Sequence, residues 1–251
     1  MNLKNRKLFV CSLIILSVIM LASFLFSVIL ASKAKVFADG ECPAKAMVVI
    51  EASTGRVLEE KNKDDRLAMA STTKIMTALV TCKNTKNFDE VVTIHDNAVG
   101  IEGTSMYLRK GEKLTVKELL FGLMLPSGND AAMALAYHIG GSEEKFVKMM
   151  NAQASKLGLK NTHFTNPHGL DADGHYTSAF DLALITAEGM KNDMFREIIA
   201  TKNVRVTGSK ENEPRLLSNK NRLLKTLDGC TTPNTASPDN PPSRPPPSTT
   251  P

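Results

Sequence analysis

Ser71 and Lys74 stand three apart in Ser71-Thr72-Thr73-Lys74. Residues at that spacing share one face of a helix, so the amine can reach the hydroxyl. A serine hydroxyl is a weak nucleophile until a neighbouring base takes its proton. A lysine can be that base only where burial or a second cation keeps it neutral part of the time. Further on, Ser127-Gly128-Asn129 supplies another serine and an amide. Such a pair could relay the proton and hold a substrate amide. Together these residues fit acyl transfer through a serine ester; Ser-x-x-Lys alone would be a weak signal.

Both motifs need rigid elements behind them. Leu67 to Thr81 is apolar on nearly every side, which predicts a buried helix carrying Ser71 and Lys74. Thr115 and Glu118 form a capping-box pattern that opens a helix reaching Leu125. Pro126 ends it, and Asp130 to His138 begins the next helix, stopped by Gly140-Gly141. The second motif therefore falls on a tight connection between two helices. Ser142 to Leu157 predicts another helix, and Thr177/Ser178 to Met190 one more with a serine or threonine cap. Ala46 to Ile50, the turn Ser53-Thr54-Gly55 and Arg56 to Leu58 read as a β-hairpin, and Asn203 to Thr207 as a strand.

The chain has 251 residues and a formal charge of +5. Residues 1–38 hold five basic side chains (Lys4, Arg6, Lys7, Lys33, Lys35) and no acidic one, so residues 39–251 are neutral. Nothing in that balance points to nucleic acid. The basic start, the uncharged run from Leu8 to Ser32 and Val36-Phe37-Ala38 follow the order of a signal peptide with cleavage after Ala38. The run is also long enough to span a bilayer, so an uncleaved signal anchor is the alternative and the only expected membrane contact. Either places the bulk of the chain outside the cytoplasm, secreted or at the outer face of the membrane. Cys11 lies in the apolar run; Cys42, Cys82 and Cys230 could form one disulfide, whose partners the sequence does not give. Residues 39–230 read as one globular domain. In residues 231–251, eight of 21 are proline and Ala236 is the lone aliphatic side chain, so this stretch is expected to be disordered.

Two decoys drop out. His163, His168, Asp171, Asp173 and His175 crowd together, but their spacing fits neither a zinc nor an EF-hand pattern. They read as hydrogen-bonding braces of a loop near the site, and neither a metal nor a cofactor is expected. Lys225-Thr226-Leu227 has leucine where a close backbone approach would need glycine.

Taken in order, the blocks resemble the serine-type D-alanyl-D-alanine carboxypeptidases, the low-molecular-mass penicillin-binding proteins. The resemblance rests on Ala70 to Thr77, Gly103 to Leu108, Ser127 to Ala132, Thr165 to Asp171, His175 to Ser178, Asp181 to Ala183 and Asn219 to Gly229. It implies the α/β serine β-lactamase/transpeptidase-like fold, an antiparallel sheet flanked by helices. It also implies a site in which Ser71 attacks the penultimate D-alanine of a peptidoglycan stem peptide. Lys74 would be the general base, Ser127 the proton relay and Asn129 a substrate ligand, with β-lactam antibiotics acylating the same serine. The family's third motif, Lys-Thr-Gly, occurs nowhere in the 251 residues: Asp228-Gly229-Cys230 runs into Thr231-Thr232-Pro233. The later strands are expected to be missing with it. Loss of one oxyanion donor costs about 10²–10³ in rate. A reading-frame change near Cys230 would account for the tail, and translating the other two frames after codon 229 tests that. Three other readings stay open: a fragment that binds penicillin or stem peptide without turnover, a fragment that does not fold, and a class A β-lactamase relative. Gly128, where those β-lactamases usually carry aspartate, speaks against the last.

Overall fold

The helix carrying Lys74 is the centre of the molecule. In the computed structural model, which describes Met20 and residues 43–208 and 214–226, α1 spans Thr73–Asn84, and every residue from Thr73 to Cys82 is buried. The predicted start at Leu67 is corrected. Leu67 exchanges backbone hydrogen bonds with Thr177, 2.8 Å and 3.1 Å long, which hold it extended. Ala70–Thr72 then forms a single 3-10 turn before α1 begins. A helical period cannot register a bridge to a distant residue, so the sequence pattern overran at that end.

Helices α2 to α5 lie where the sequence places them, and α6 and α7 are additions it does not predict. In α2 (Val116–Met124), Thr115 and Glu118 make both bonds of the capping box. α3 (Asn129–Gly140) stops at Gly141, whose φ of 74° closes the helix in the left-handed region. Ser142 caps α4 (Glu143–Lys156), Ser178 caps α5 (Ala179–Gly189), and Asn192 caps α6 (Asp193–Ala200). α7 is a short turn, Leu223–Thr226. Helices α2 to α6 all pack against α1. Leu79, Leu119, Leu120, Leu123, Phe146, Phe164 and Phe195 are almost wholly buried between them. Each stabilises the fold by roughly 1.5–3 kcal/mol relative to exposure.

The strands are short and antiparallel. β1 (Met47–Ile50) pairs with β2 (Val57–Lys61), from Met47 opposite Lys61 to Ile50 opposite Val57, with a register shift between Val49 and Ile50. β3 (Val91–Thr93) pairs with β4 (Lys113–Thr115), and β5 (Asn203–Val206) with β6 (Arg215–Ser218). The described residues thus hold three two-stranded sheets. β1 rests on α5 but is only half-buried along its length. This is the mixed α/β class with antiparallel strands and flanking helices.

The chain divides into two units, Met1–Pro43 and Ala44–Pro251, and the elements above belong to the second. Apart from Met20, the signal or anchor segment lies outside the described residues, as do Cys11, Cys42, Cys230 and the Pro-rich tail. Among the described residues no helix is long and apolar enough to cross a membrane. Cys82 is buried in α1 and unbridged, and burial pushes its thiol up to about 12.

Candidate active site

Ser71 and Lys74 meet across the start of α1. The Lys74 Nζ lies 3.1 Å from the Ser71 Oγ and donates to the His168 carbonyl at 2.6 Å. Ser71 is half-buried, whereas Lys74 is only 2% exposed. Burial, then the positive charge of Lys220, pushes the amine down to about 7, with the Asp130 carboxylate pulling the other way. At neutral pH this lysine therefore spends much of its time uncharged, with a lone pair beside the serine hydroxyl.

The turn that presents Ser71 is strained. Ala70 has φ 44°, a region that costs a non-glycine residue roughly 1–2 kcal/mol. Two features hold it there. The Thr73 hydroxyl donates to the Ala70 carbonyl at 2.8 Å. Gly169, itself at φ 93°, packs so closely that a Cβ on it would lie 2.0 Å from that carbonyl oxygen.

The histidines brace the loop behind this turn. Because Thr73 spends its one hydroxyl proton on Ala70, the contact between Thr73 Oγ1 and His175 Nε2 at 2.8 Å must be donated by the imidazole. His175 Nδ1 is then free to accept from the Thr165 N–H at 3.0 Å. This fixes one neutral tautomer, and burial pushes His175 down to about 4. His168 is likewise pushed down to about 4 by burial and by the Lys74 charge. Its Nε2 lies 4.0 Å from Glu143, whose carboxyl burial raises, so the pair is not an ion pair at neutral pH. His163 Nδ1 contacts the Gly174 carbonyl at 2.7 Å. The three histidines of that cluster are thus engaged in loop hydrogen bonds, His168 accepting from the Leu170 N–H at 3.2 Å.

The second motif sits at the start of α3. Ser127 has φ 67° and is half-buried. Its carbonyl accepts from the Thr104 hydroxyl, and the N–H groups of Gly128 and Asn129 donate to the carbonyls of Gly122 (2.9 Å) and Thr104 (2.7 Å). With its backbone neighbours satisfied this way, the serine is held in the left-handed region. The Ser127 hydroxyl makes no hydrogen bond to a described residue. Asn129 is buried and donates from Nδ2 to the Glu102 carbonyl at 2.6 Å, which leaves its Oδ1 as an acceptor. A Cβ on Gly128 would lie 2.8 Å from the Asp130 carboxylate and 2.9 Å from the Gly122 carbonyl. A side chain at position 128 therefore has no room without a shift of its neighbours.

Asp130, which the sequence places only at the start of a helix, adjoins Asn129. Its buried carboxylate accepts from the Ser105 hydroxyl (2.5 Å) and from the N–H groups of Met106 (3.0 Å), Leu108 (2.9 Å) and Ala131 (2.8 Å). It ties the 105–108 segment to the start of α3. Arg215 on β6 extends the tie, with both Glu112 oxygens at 2.5 and 2.9 Å and the Tyr107 carbonyl at 2.9 Å. Gly103 lies between Asn129 and the 165–171 loop. A Cβ there would lie 2.8 Å from the Asn129 amide and 4.0 Å from Leu170, in the loop whose His168 carbonyl holds Lys74. A cavity of about 470 Å³ lies beside the second motif, between Ser105, Tyr107, Pro126, Pro214 and Leu216; none of Ser71, Lys74 and Asn129 lines it.

The D-alanyl-D-alanine carboxypeptidase family matches residues 32–237. The carboxypeptidase DacF of Bacillus subtilis is 43% identical over 190 residues, which are 74% of this chain and 49% of that protein. DacC of Escherichia coli is 37% identical over 207 residues, 77% of this chain and 50% of its own length. The chain thus spans about half the length of these relatives. Among solved structures, a mutant of a Streptomyces DD-transpeptidase superposes with a TM-score of 0.74 at 33% identity, covering 80% of this chain and 83% of that one. The carboxypeptidase DacD of Francisella tularensis gives 0.70 at 31% identity, covering 76% and 59%. A buried lysine against a serine on a strained turn, a serine-glycine-asparagine connection at the start of α3, and these likenesses in sequence and fold lead to one statement: the chain belongs to the D-alanyl-D-alanine carboxypeptidase family.

Proposed function

We propose that this protein is a serine acyl enzyme that removes the terminal D-alanine from peptidoglycan stem peptides. The observation that carries the reading is the Lys74 amine, pushed to about 7 and 3.1 Å from the Ser71 hydroxyl. In the first step Lys74 takes the Ser71 proton while Oγ bonds to the carbonyl carbon of the penultimate residue. Ser127, with its hydroxyl uncommitted, gives its proton to the leaving D-alanine amine and takes the proton held by Lys74, which leaves Lys74 neutral again. Asn129 offers its Oδ1 to a substrate N–H. The Ser71 backbone N–H supplies one donor to the developing oxyanion. Water then hydrolyses the ester, with Lys74 again as base. β-Lactams would acylate Ser71 because their strained amide occupies the same place as the scissile peptide.

Action on this substrate requires export. The basic, apolar and small-residue order of residues 1–38 supports an extracytoplasmic location, with membrane contact through that segment if it is not cleaved.

Labelling the full chain with a fluorescent penicillin, beside Ser71→Ala, tests the site. The expected result is a covalent band that Ser71→Ala abolishes, followed by D-alanine release from a pentapeptide. A band without D-alanine release would favour the second reading, a protein that binds and is acylated without turnover, which the absence of Lys-Thr-Gly from the sequence supports. No band from a cooperatively folded chain would overturn both.

A further inference from the structure

Thr77 takes no part in the steps above, yet its hydroxyl makes an unusual bond. It follows Lys74 by three positions on α1 and is wholly buried. At that spacing both side chains project from one face of the helix. A helical threonine commonly returns its hydroxyl proton to a carbonyl of its own helix, as Thr186 of α5 does to Leu182 at 2.9 Å. Thr77 instead donates to the Pro167 carbonyl at 2.6 Å, 90 residues along the chain. The next carbonyl, that of His168, accepts from the Lys74 Nζ at 2.6 Å. Two consecutive carbonyls of one turn are thus taken by two side chains of one helix face. The buried Asn166 holds the turn from its other side. Its Oδ1 accepts from the N–H groups of His168 (3.3 Å) and Gly169 (2.7 Å), and its Nδ2 donates to the Leu170 carbonyl at 2.8 Å.

We infer that Thr77 is a positioning residue for the reaction: by holding the Pro167 carbonyl it sets the adjoining His168 carbonyl where it takes one N–H of Lys74 and leaves the amine's lone pair for Ser71. The inference deepens the acyl-enzyme reading and rests on it. A neutral amine has two N–H groups and one lone pair, and it turns freely about Cε–Nζ unless something holds it. With one N–H committed to His168, the lone pair no longer points into the turn and is left for the Ser71 hydroxyl at 3.1 Å. In the step this serves, the Ser71 O–H bond breaks, the proton passes to the lone pair of Lys74 Nζ, and the Oγ electron pair bonds to the substrate carbonyl carbon. Lys74 becomes an ammonium, and its bond to His168 becomes charge-assisted, roughly twice as strong as a neutral one. The carbonyl therefore gives more to the transition state than to the resting amine, which is the condition for raising the rate. A turn that drifted would lose this without changing what the substrate touches.

The test compares Thr77→Val, which keeps the shape and removes the hydroxyl, with Thr77→Ser, which keeps the hydroxyl. In the full chain the rate of penicillin acylation is followed against penicillin concentration. In Thr77→Val the rate at saturation should fall by about tenfold, with the half-saturating concentration and the final labelled fraction unchanged. Thr77→Ser should restore most of the rate. Thr77→Ala, which leaves room for a water on the freed carbonyl, replaces Thr77→Val if the latter does not fold. A threonine that only stabilised the fold would lower the melting temperature and the labelled fraction and leave the saturating rate alone. That result, a loss confined to the half-saturating concentration, or an equal loss in Thr77→Ser would overturn the inference. NMR reads the amine without penicillin: the two Cε protons of Lys74, assigned by their loss in Lys74→Arg, should give separate signals in the parent and in Thr77→Ser and draw together in Thr77→Val. An unchanged separation would overturn the inference. If the parent is never labelled, the acyl-enzyme reading falls, and a separation that shrinks only in Thr77→Val still supports the hold of Thr77 on Lys74.

Discussion

The two halves of the site hold a serine in place by opposite means. At the nucleophile turn the strained residue is Ala70, one position before Ser71. What holds it comes from far along the chain: Gly169 against its carbonyl, His175 behind Thr73, and the His168 carbonyl on Lys74. At the second motif the strained residue is Ser127 itself. What holds it is nearer in sequence: Thr104, Gly122 and the Asp130 carboxylate that gathers residues 105–108. The first arrangement depends on long-range packing of the 165–175 loop. The second depends on a single buried carboxylate. Substitutions should therefore fail differently in the two places.

Asp130→Ala should have the largest effect on stability. It strands three backbone N–H groups and the Ser105 hydroxyl, and a loss of about 3 kcal/mol in a urea melt is expected. If the second motif is held as described, penicillin labelling should weaken along with the melt. Gly169→Ala should act on the other half. Its Cβ cannot fit 2.0 Å from the Ala70 oxygen, so the nucleophile turn must shift. Acylation should fall by about 10²-fold, since a displacement near 1 Å can cost that much. The stability loss should be smaller than for Asp130→Ala, and equal losses would erase the distinction between the two regions.

Lys74→Met sharpens the comparison through pH. The folded amine sits at about 7, below its ordinary 10.5, so the unfolded chain binds more protons between those values. The cost of burying Lys74 is therefore full below pH 7 and fades as pH rises toward 10.5. Lys74→Met should abolish acylation and raise the melting temperature at pH 6, with the gain shrinking by pH 10. A gain independent of pH would contradict the buried amine. The smallest effect is expected from Ala70→Gly. It relieves left-handed strain but adds unfolded-state freedom, so stability should change by less than about 1 kcal/mol. Acylation should slow modestly as the turn loosens.

The sequence carried a good part of this in local terms. Spacing alone brought Lys74 to Ser71, and capping residues placed the starts of α2, α4 and α5 within a residue. The extended Leu67 was hidden because its partner, Thr177, lies far along the chain. α6 did have a readable signal: Asn192 as cap, then Phe195, Ile198 and Ile199 on one face. The Glu112–Arg215 pair leaves no local pattern, since it joins residues brought together only by the fold.

The contact between Gly169 and Ala70 has a consequence for descent as well as for catalysis. Two sites far apart in the gene behave as one steric unit, so 169 cannot gain a side chain alone. A lineage that gained a side chain at 169 would need a compensating change in the backbone at 70 before Ser71 could return to register. A side chain at 169 should therefore appear only together with a change at 70, and a library randomising both at once should yield active pairs that a library of 169 alone never contains.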